Sequence, residues 1–289
     1  MKKIKVRAHA KVNLFLEVLG KRRDGYHEVE TVLQNIDLWD ELTFSPSDSL
    51  KAVYTKGMTV PADKDLVLKA AELLRREAGI KEGAQITLEK NIPAGSGLGG
   101  ASADAAASLV ALNAMWHLDL PLPFLHSLAV QLGADVPFFL NGGTALGRGK
   151  GEKLEAVAAL PFCYLVVAKP PFEVLTVEAY GRVDAFAREP RSSSSLIGAL
   201  EKGDLKEIGK HLHNAFEAIM AEWHPEIVAL KRKALQEGAL GALMTGSGSA
   251  VFAIASDEES AQKIASKLSS FCPSVIVTTS YPRGLDLWN

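Results

Sequence analysis

A chain of 289 residues, 47% hydrophobic and 23% charged, has ordinary globular composition, with enough apolar residues for one large core or two smaller ones. Its formal net charge of −2 excludes a global electrostatic attraction to nucleic acid or to an anionic membrane, so any anion has to be held by a local site. The two cysteines, Cys163 and Cys272, lie far apart without C-x-x-C spacing, and a reduced, buried pair in a cytoplasmic protein is expected.

The N-terminal stretch MKKIKVRAHAKVNL starts basic, but its apolar residues alternate with polar ones, which is a strand pattern and not a signal-peptide core. Ile4, Val6 and Ala8 alternate in IKVRA. VNLFLEVLG follows, then a polar turn KRRDG, and YHEVETVLQNIDL and DELTFSPS read as further strands. The period changes at Lys64–Ala78, where Leu66, Leu68, Ala70, Leu73 and Leu74 sit close to helical spacing and Gly79 offers a stop. AQITLEKNIP returns to strand. SADAAASLVALNAMW, rich in Ala and Leu, predicts a helix, and Pro121–Leu132 a second, shorter one leading to GADVPFF. The most apolar region, Ala105–Leu140, is interrupted by Asp119, Pro121, Pro123 and Asp135. It cannot supply the ~20 continuous apolar residues of a membrane span.

FLNGGTALGRGKGEKL holds five glycines within Gly142–Gly151 and reads as hairpin and loop. It marks the expected boundary between a domain of residues 1–153 and a domain of residues 154–289. Beyond it, FCYLVVAKP predicts a buried strand, and Glu201–His213 and Pro225–Glu237 predict helices. RSSSSL is polar and is expected as a mobile loop. GALMTGSGSAVFAIAS reads as strand, glycine turn and strand. DEESAQKIASKLSSF reads as a helix opening on a capping box, Ser256 followed by Glu259. SVIVTTS is a late strand. No repeat of solenoid or propeller period is found. The fold class is α+β, in two halves.

Residues 91–106, NIPAGSGLGGASADAA, carry the chemistry most visibly. Gly95, Gly97 and Gly100 spell G-x-G-x-x-G, without the G-K-[ST] ending of a Walker loop. A dinucleotide fold needs a second buried strand ending in an acidic residue. Asp119 stands near the required distance, but MWHLDLPLP contains no such strand. What remains is a glycine turn that permits positive φ and close approach, at the start of a helix whose free N–H groups suit a phosphate. Ser96 and Ser102 add hydroxyls, and a strand–helix turn with glycines for packing alone is the plainer alternative. Asp135 offers a carboxylate as proton acceptor or as a loop cap. Lys11 is a lone cation in an apolar-patterned segment, either beside such a carboxylate or on an exposed strand face. Asn13 shares the strand face of Lys11.

PAGSGLGGASADAA resembles the P-x-x-x-G-L-G-S-S-A-A motif of the GHMP kinases, the group of galactokinase, homoserine kinase, mevalonate kinase and phosphomevalonate kinase. AHAKVNLFLEVLGKRRDGYHEVET and LGADVPFFLNGGTALGRGKGE are similar to two signatures of one branch, the 4-diphosphocytidyl-2-C-methyl-D-erythritol kinases. MTGSGSAVFA matches the third glycine motif of the superfamily, and the four blocks fall in the expected order between residues 8 and 253. The resemblance implies a two-domain α+β GHMP kinase fold with the active site in the interdomain cleft and an ATP-binding N-terminal domain. It implies Mg²⁺-dependent transfer from ATP to the 2-hydroxyl of a cytidine-diphosphate-linked methylerythritol in the non-mevalonate isoprenoid pathway. Another GHMP small-molecule kinase, of homoserine or mevalonate type, is the alternative.

By the same resemblance Asp135 is the catalytic base and Lys11 the catalytic lysine. Asn13, Tyr26, His27, Thr176 and Tyr180 bind the cytidine substrate, and GYHE distinguishes the branch. Pro93, Ala94, Gly95, Ser96, Gly97, Leu98, Gly99, Gly100, Ala101 and Ser102 cradle ATP. Lys90 and Asp65 lie near the adenine, Gly246, Ser247, Gly248 and Ser249 shape the cleft, and no protein metal ligand is named. The sequence departs from the family at Asp65, where Asn is frequent, and at Ser102, Ala103 and Asp104, where Ser-Ser-Asn is frequent. A cytoplasmic monomer or weak homodimer, with neither nucleic acid nor membrane as partner, is expected.

Overall fold

The computed structural model describes residues 2–57, 60–174, 176–183 and 189–288. Its backbone is built on one long ribbon. Strand β1 (Ile4–Lys21) pairs antiparallel with β2 (His27–Ser47), from Ile4 opposite Phe44 to Lys21 opposite His27. The register shifts at His9/Lys11, at Asn13/Phe15 and at Val18/Gly20. Such irregularities re-aim side chains. Lys11 and Asn13 lie between the first two, and both reach the same cavity.

The first sheet is completed by β3 (Leu50–Lys56), β4 (Gly83–Glu89) and a hairpin of β5 (Thr144–Arg148) and β6 (Lys153–Ala156). Helices α1 (Leu66–Ala78), α2 (Gly100–Met115), α3 (Leu122–Leu132) and α4 (Val136–Asn141) belong to this half. The second sheet runs β11–β7–β10–β9, with β7 (Tyr164–Lys169), β9 (Gly241–Met244), β10 (Val251–Ala255) and β11 (Ser274–Thr279). Around it stand α5 (Thr176–Val183), α6 (Ser194–Lys202), α7 (Leu205–Lys210), α8 (Ala215–Trp223), α9 (Pro225–Gln236) and α10 (Glu258–Leu268). Two later strands return to β1: β8 (His213–Asn214) pairs with it in parallel and β12 (Leu285–Trp288) antiparallel. The first sheet thus takes strands from both sides of residue 153.

β1 is buried along most of its length because it serves three apolar clusters in turn. Ile4, Val6 and Ala8 pack with α1 and α2; Ala10, Val12, Leu14 and Phe15 pack with Leu165, Val167 and Phe252 of the second sheet. Leu16 and Val18 join Phe216 and Met244. A strand covered on both faces loses the polar/apolar alternation of an exposed one.

Local signals explain the helix ends. Asp65 accepts from the Val67 N–H at 2.9 Å and opens α1, and Gly79, at φ 66°, closes it. The helix start expected at Ser256 lies one residue further on. Asp257 is the cap and accepts from the Ser260 N–H at 2.8 Å. The stretch expected as one helix over Glu201–His213 is broken at Gly203, which sits at φ 66°, and Asp204 caps a new start. The RSSSSL stretch is not a loose loop. Its Arg191 N–H donates to Glu17 and its Ser193 N–H to Glu30, and Leu196 is buried in the first turns of α6. Cys163 and Cys272 are both buried free thiols.

Candidate active site

Between the two sheets lies a cavity of 1280 Å³, larger than the roughly 300–1,000 Å³ that suits one drug-sized ligand. It has room for two substrates. Its walls come from β1, β2, the glycine loop, α5 and the turn between β9 and β10.

The glycine loop joins β4 to α2. Gly95, Gly97 and Gly99 all adopt positive φ, at 58°, 78° and 76°. A Cβ on Gly97 would lie 2.2 Å from the Thr245 carbonyl oxygen, so the loop and the β9–β10 turn meet at a distance only glycine allows. Gly99 stands at the N-cap of α2 and offers no side-chain cap. The amides of the first turn therefore remain for an external acceptor, beside the positive end of the helix. Gly100, Ala101 and Ser102 line the cavity there, and this arrangement fits the phosphates of a nucleotide. The Ser96 hydroxyl, expected as a donor to the anion, instead donates to the Pro93 carbonyl at 2.6 Å and shapes the loop from within.

Against the loop lies Lys11, whose backbone N–H donates to the Leu98 carbonyl at 2.9 Å; it is 3% exposed, which removes the exposed-strand-face alternative. Its Nζ donates to Asn13 Oδ1 at 2.6 Å and lies 3.7 Å from Asp135 Oδ2. Burial lowers the pKa of Lys11, and the Asp135 carboxylate opposes that shift. Asp135 occupies the N-cap position of α4 yet makes no capping bond, and its side chain is 40% exposed. The capping alternative therefore fails, and the carboxylate is presented to the cavity.

Asn13 is fixed from four sides. Its Nδ2 donates to Thr31 Oγ1 at 2.9 Å, and its Oδ1 accepts from the Gly246 N–H at 2.9 Å and from Thr245 Oγ1 at 3.2 Å. Its own N–H donates to Thr245 Oγ1 at 3.0 Å. The β9–β10 turn is held in place by a residue the sequence reading missed, Asn214. Its Nδ2 donates to the carbonyls of Met244 and Gly246 at 2.6 and 2.8 Å, while its Oδ1 caps α8. The signal available was an Asn just ahead of an apolar helical run.

At the other end, Tyr26 is 59% exposed and the Lys150 ammonium lies 4.4 Å from its ring centroid. The His27 ring is 4.9 Å from that of Tyr180, which in turn meets Phe216 edge-on at 4.8 Å. Thr176 Oγ1 is 3.2 Å from Ser247 Oγ. Tyr26, His27, Thr176, Tyr180, Gly246 and Ser247 all line the cavity. Ser249 turns away from it and donates to the Phe172 carbonyl.

Lys90 also lines the cavity, tied between Asp40 and Asp104. Burial pushes the Asp104 carboxyl far above the usual range; Lys90 opposes the shift and Asp40 adds to it. Asp65, expected near the adenine, is engaged instead in capping α1 and in accepting from the Tyr54 hydroxyl at 2.7 Å. Among the described residues, no group of three or more His, Cys, Asp or Glu side chains is placed to hold a metal ion.

Residues 65–143 match the GHMP kinases N terminal domain, and residues 196–274 the GHMP kinases C terminal. The chain is 47% identical to the 4-diphosphocytidyl-2-C-methyl-D-erythritol kinase of Pelotomaculum thermopropionicum, over 96% of this chain and 98% of that one. It belongs to the GHMP kinase family. To the corresponding enzyme of Alkaliphilus metalliredigens it is 40% identical, over 98% of each chain. Among GHMP kinases of known structure, a 4-(cytidine 5'-diphospho)-2C-methyl-D-erythritol kinase superposes with a TM-score of 0.81 at 35% identity, covering 96% of this chain and 98% of that one. A homoserine kinase from Cytophaga hutchinsonii gives 0.78 at 24% identity over 100% and 98%, which shows the shared GHMP fold. Among the described residues no helix is long and apolar enough to cross a membrane.

Proposed function

We propose that this chain phosphorylates the 2-hydroxyl of 4-diphosphocytidyl-2-C-methyl-D-erythritol with ATP, a step of isoprenoid precursor synthesis by the non-mevalonate route, with Asp135 as general base and Lys11 as its orienting cation. The observation that carries the residue roles is the Lys11–Asp135 pair, 3.7 Å apart, set beside the glycine loop in one cavity. Relatives named for this activity, 40–47% identical over nearly the full length, favour it over a homoserine or mevalonate kinase reading.

Phosphoryl transfer asks the protein for alignment and charge neutralisation rather than covalent chemistry. In this reading, amides of the glycine loop and of the first turn of α2 hold the phosphates of ATP. Mg²⁺ bound with ATP supplies neutralisation of phosphate charge. Asp135 accepts the proton of the attacking hydroxyl, and Lys11 keeps that carboxylate ionised and aims the hydroxyl. Asn13 and the β9–β10 turn fix the position of the Lys11 ammonium. Tyr26, His27 and Tyr180 recognise the cytosine, with Thr176 and Ser247 beside the substrate. The same proposal takes residues 1–153 as the ATP-binding domain and 154–289 as the second domain. It also takes a cytoplasmic monomer or weak homodimer as the working form.

A coupled ADP-release assay tests this reading. It compares the cytidine-diphosphate substrate with homoserine and mevalonate under the same conditions. Turnover confined to the cytidine substrate is expected. Comparable kcat/KM with homoserine or mevalonate would overturn the substrate assignment.

A further inference from the structure

Glu173 sits in an unexpected place for an acid. It precedes α5, in the second half of the molecule, and its side chain lies flat against Gly95 of the phosphate loop. A Cβ on Gly95 would come within 2.6 Å of both Cγ and Cδ of Glu173. Among the described residues lining the cavity, Asp135 and Glu173 are the acidic ones, against Lys11, Lys21, Lys90, Lys150 and Lys169. Asp135 faces Lys11, whereas Glu173 faces the loop that suits phosphate.

The placement of Glu173 is enforced by its neighbours. The Phe172 carbonyl accepts from Lys169 Nζ at 2.8 Å and from Ser249 Oγ at 2.7 Å, and the Phe172 ring stacks on His224 at 4.2 Å. Val174, on the other side, is buried in the second core beside Met244. An exposed carboxylate between two anchored residues stays at the cleft rather than sweeping through solvent.

We propose that Glu173 makes the phosphate loop selective for metal-bound over metal-free nucleotide. The inference rests on the kinase reading above and adds a specificity residue to it. A fixed negative charge beside the loop repels bare phosphates. When a divalent cation accompanies the nucleotide, the opposing charge is largely cancelled, and the carboxylate faces a near-neutral or attractive partner. The selectivity is electrostatic and therefore weakens as salt is added.

The test is calorimetric and needs no turnover. Dissociation constants for ADP in EDTA and for Mg·ADP are measured on the full chain, on Glu173→Gln and on Glu173→Lys. Glu173 is solvent-exposed, so neither substitution disturbs a core. Glu173→Gln is expected to lower the preference for Mg·ADP over ADP by about tenfold, the scale of two extra charges a few ångströms away in a high dielectric. Glu173→Lys is expected to lower it further. An unchanged preference in both variants would overturn the proposal. Binding of neither nucleotide form by the wild-type chain would overturn the kinase reading itself, and the proposal with it.

Discussion

Two lysines, Lys11 buried and Lys90 half-buried, line the same cavity and are held in opposite ways. Lys90 is clamped by Asp40 and Asp104, whose side chains are 0% and 4% exposed, and these carboxylates raise its pKa against the effect of burial. Asp40 also accepts from the amides of Asn91 and Ile92, so the triad anchors the approach to the glycine loop. Lys11 has a single carboxylate at 3.7 Å, itself open to the cavity, and a neutral amide oxygen at 2.6 Å. Burial therefore wins, and its pKa falls. The difference separates structure from function. A cation whose charge is fully matched by buried partners holds the protein together. A cation left under-compensated beside a solvent-facing carboxylate is available to a substrate.

The contrast predicts divergent outcomes for the same substitution. Lys11→Met is expected to lower kcat on the order of 10²–10³-fold, the usual cost of one preorganised charge at a reacting centre. It leaves thermal stability unchanged or slightly raised, because Asp135 remains hydrated. Lys90→Met is expected to destabilise the fold by about 3–5 kcal/mol, since two buried carboxylates lose their cation. Denaturant unfolding of both variants beside steady-state kinetics checks the pair; equal stability losses would erase the distinction. The smallest effect belongs to the rim. Tyr26→Ala is expected to raise KM for the cytidine substrate by the equivalent of about 1–3 kcal/mol of stacking, with the ATP KM unchanged. Equal rises in both constants would remove the nucleobase contact from Tyr26.

Much of this was legible in the sequence where the physics is local. Gly79 ends α1 as its spacing announced, and the glycine spacing announces the strand–loop–helix turn. Lys11 and Asn13 fall on one face because they are two residues apart in a strand. The one-residue error at Ser256 is also local: the cap is the adjacent Asp257, whose carboxylate accepts from the amide of Ser260. What the sequence could not show depends on distant pairing. β12 returns to β1 from the far end of the chain, and Asn214 reaches the carbonyls of Met244 and Gly246. Glu173 meets Gly95 only because two sheets face each other across a cleft. The RSSSSL stretch misled for the same reason, since its amides bond to Glu17 and Glu30 from the opposite half.

The central claim is that Asp135 acts on the substrate proton and has no part in holding the fold or the nucleotide. Rapid-quench single-turnover kinetics of Asp135→Asn, with Mg·ADP affinity measured on the same sample, tests it most directly. The transfer rate is expected to fall by about 10²–10⁴-fold while the Mg·ADP dissociation constant stays within a factor of about two. A near-normal transfer rate, or a parallel loss of nucleotide binding, would contradict it.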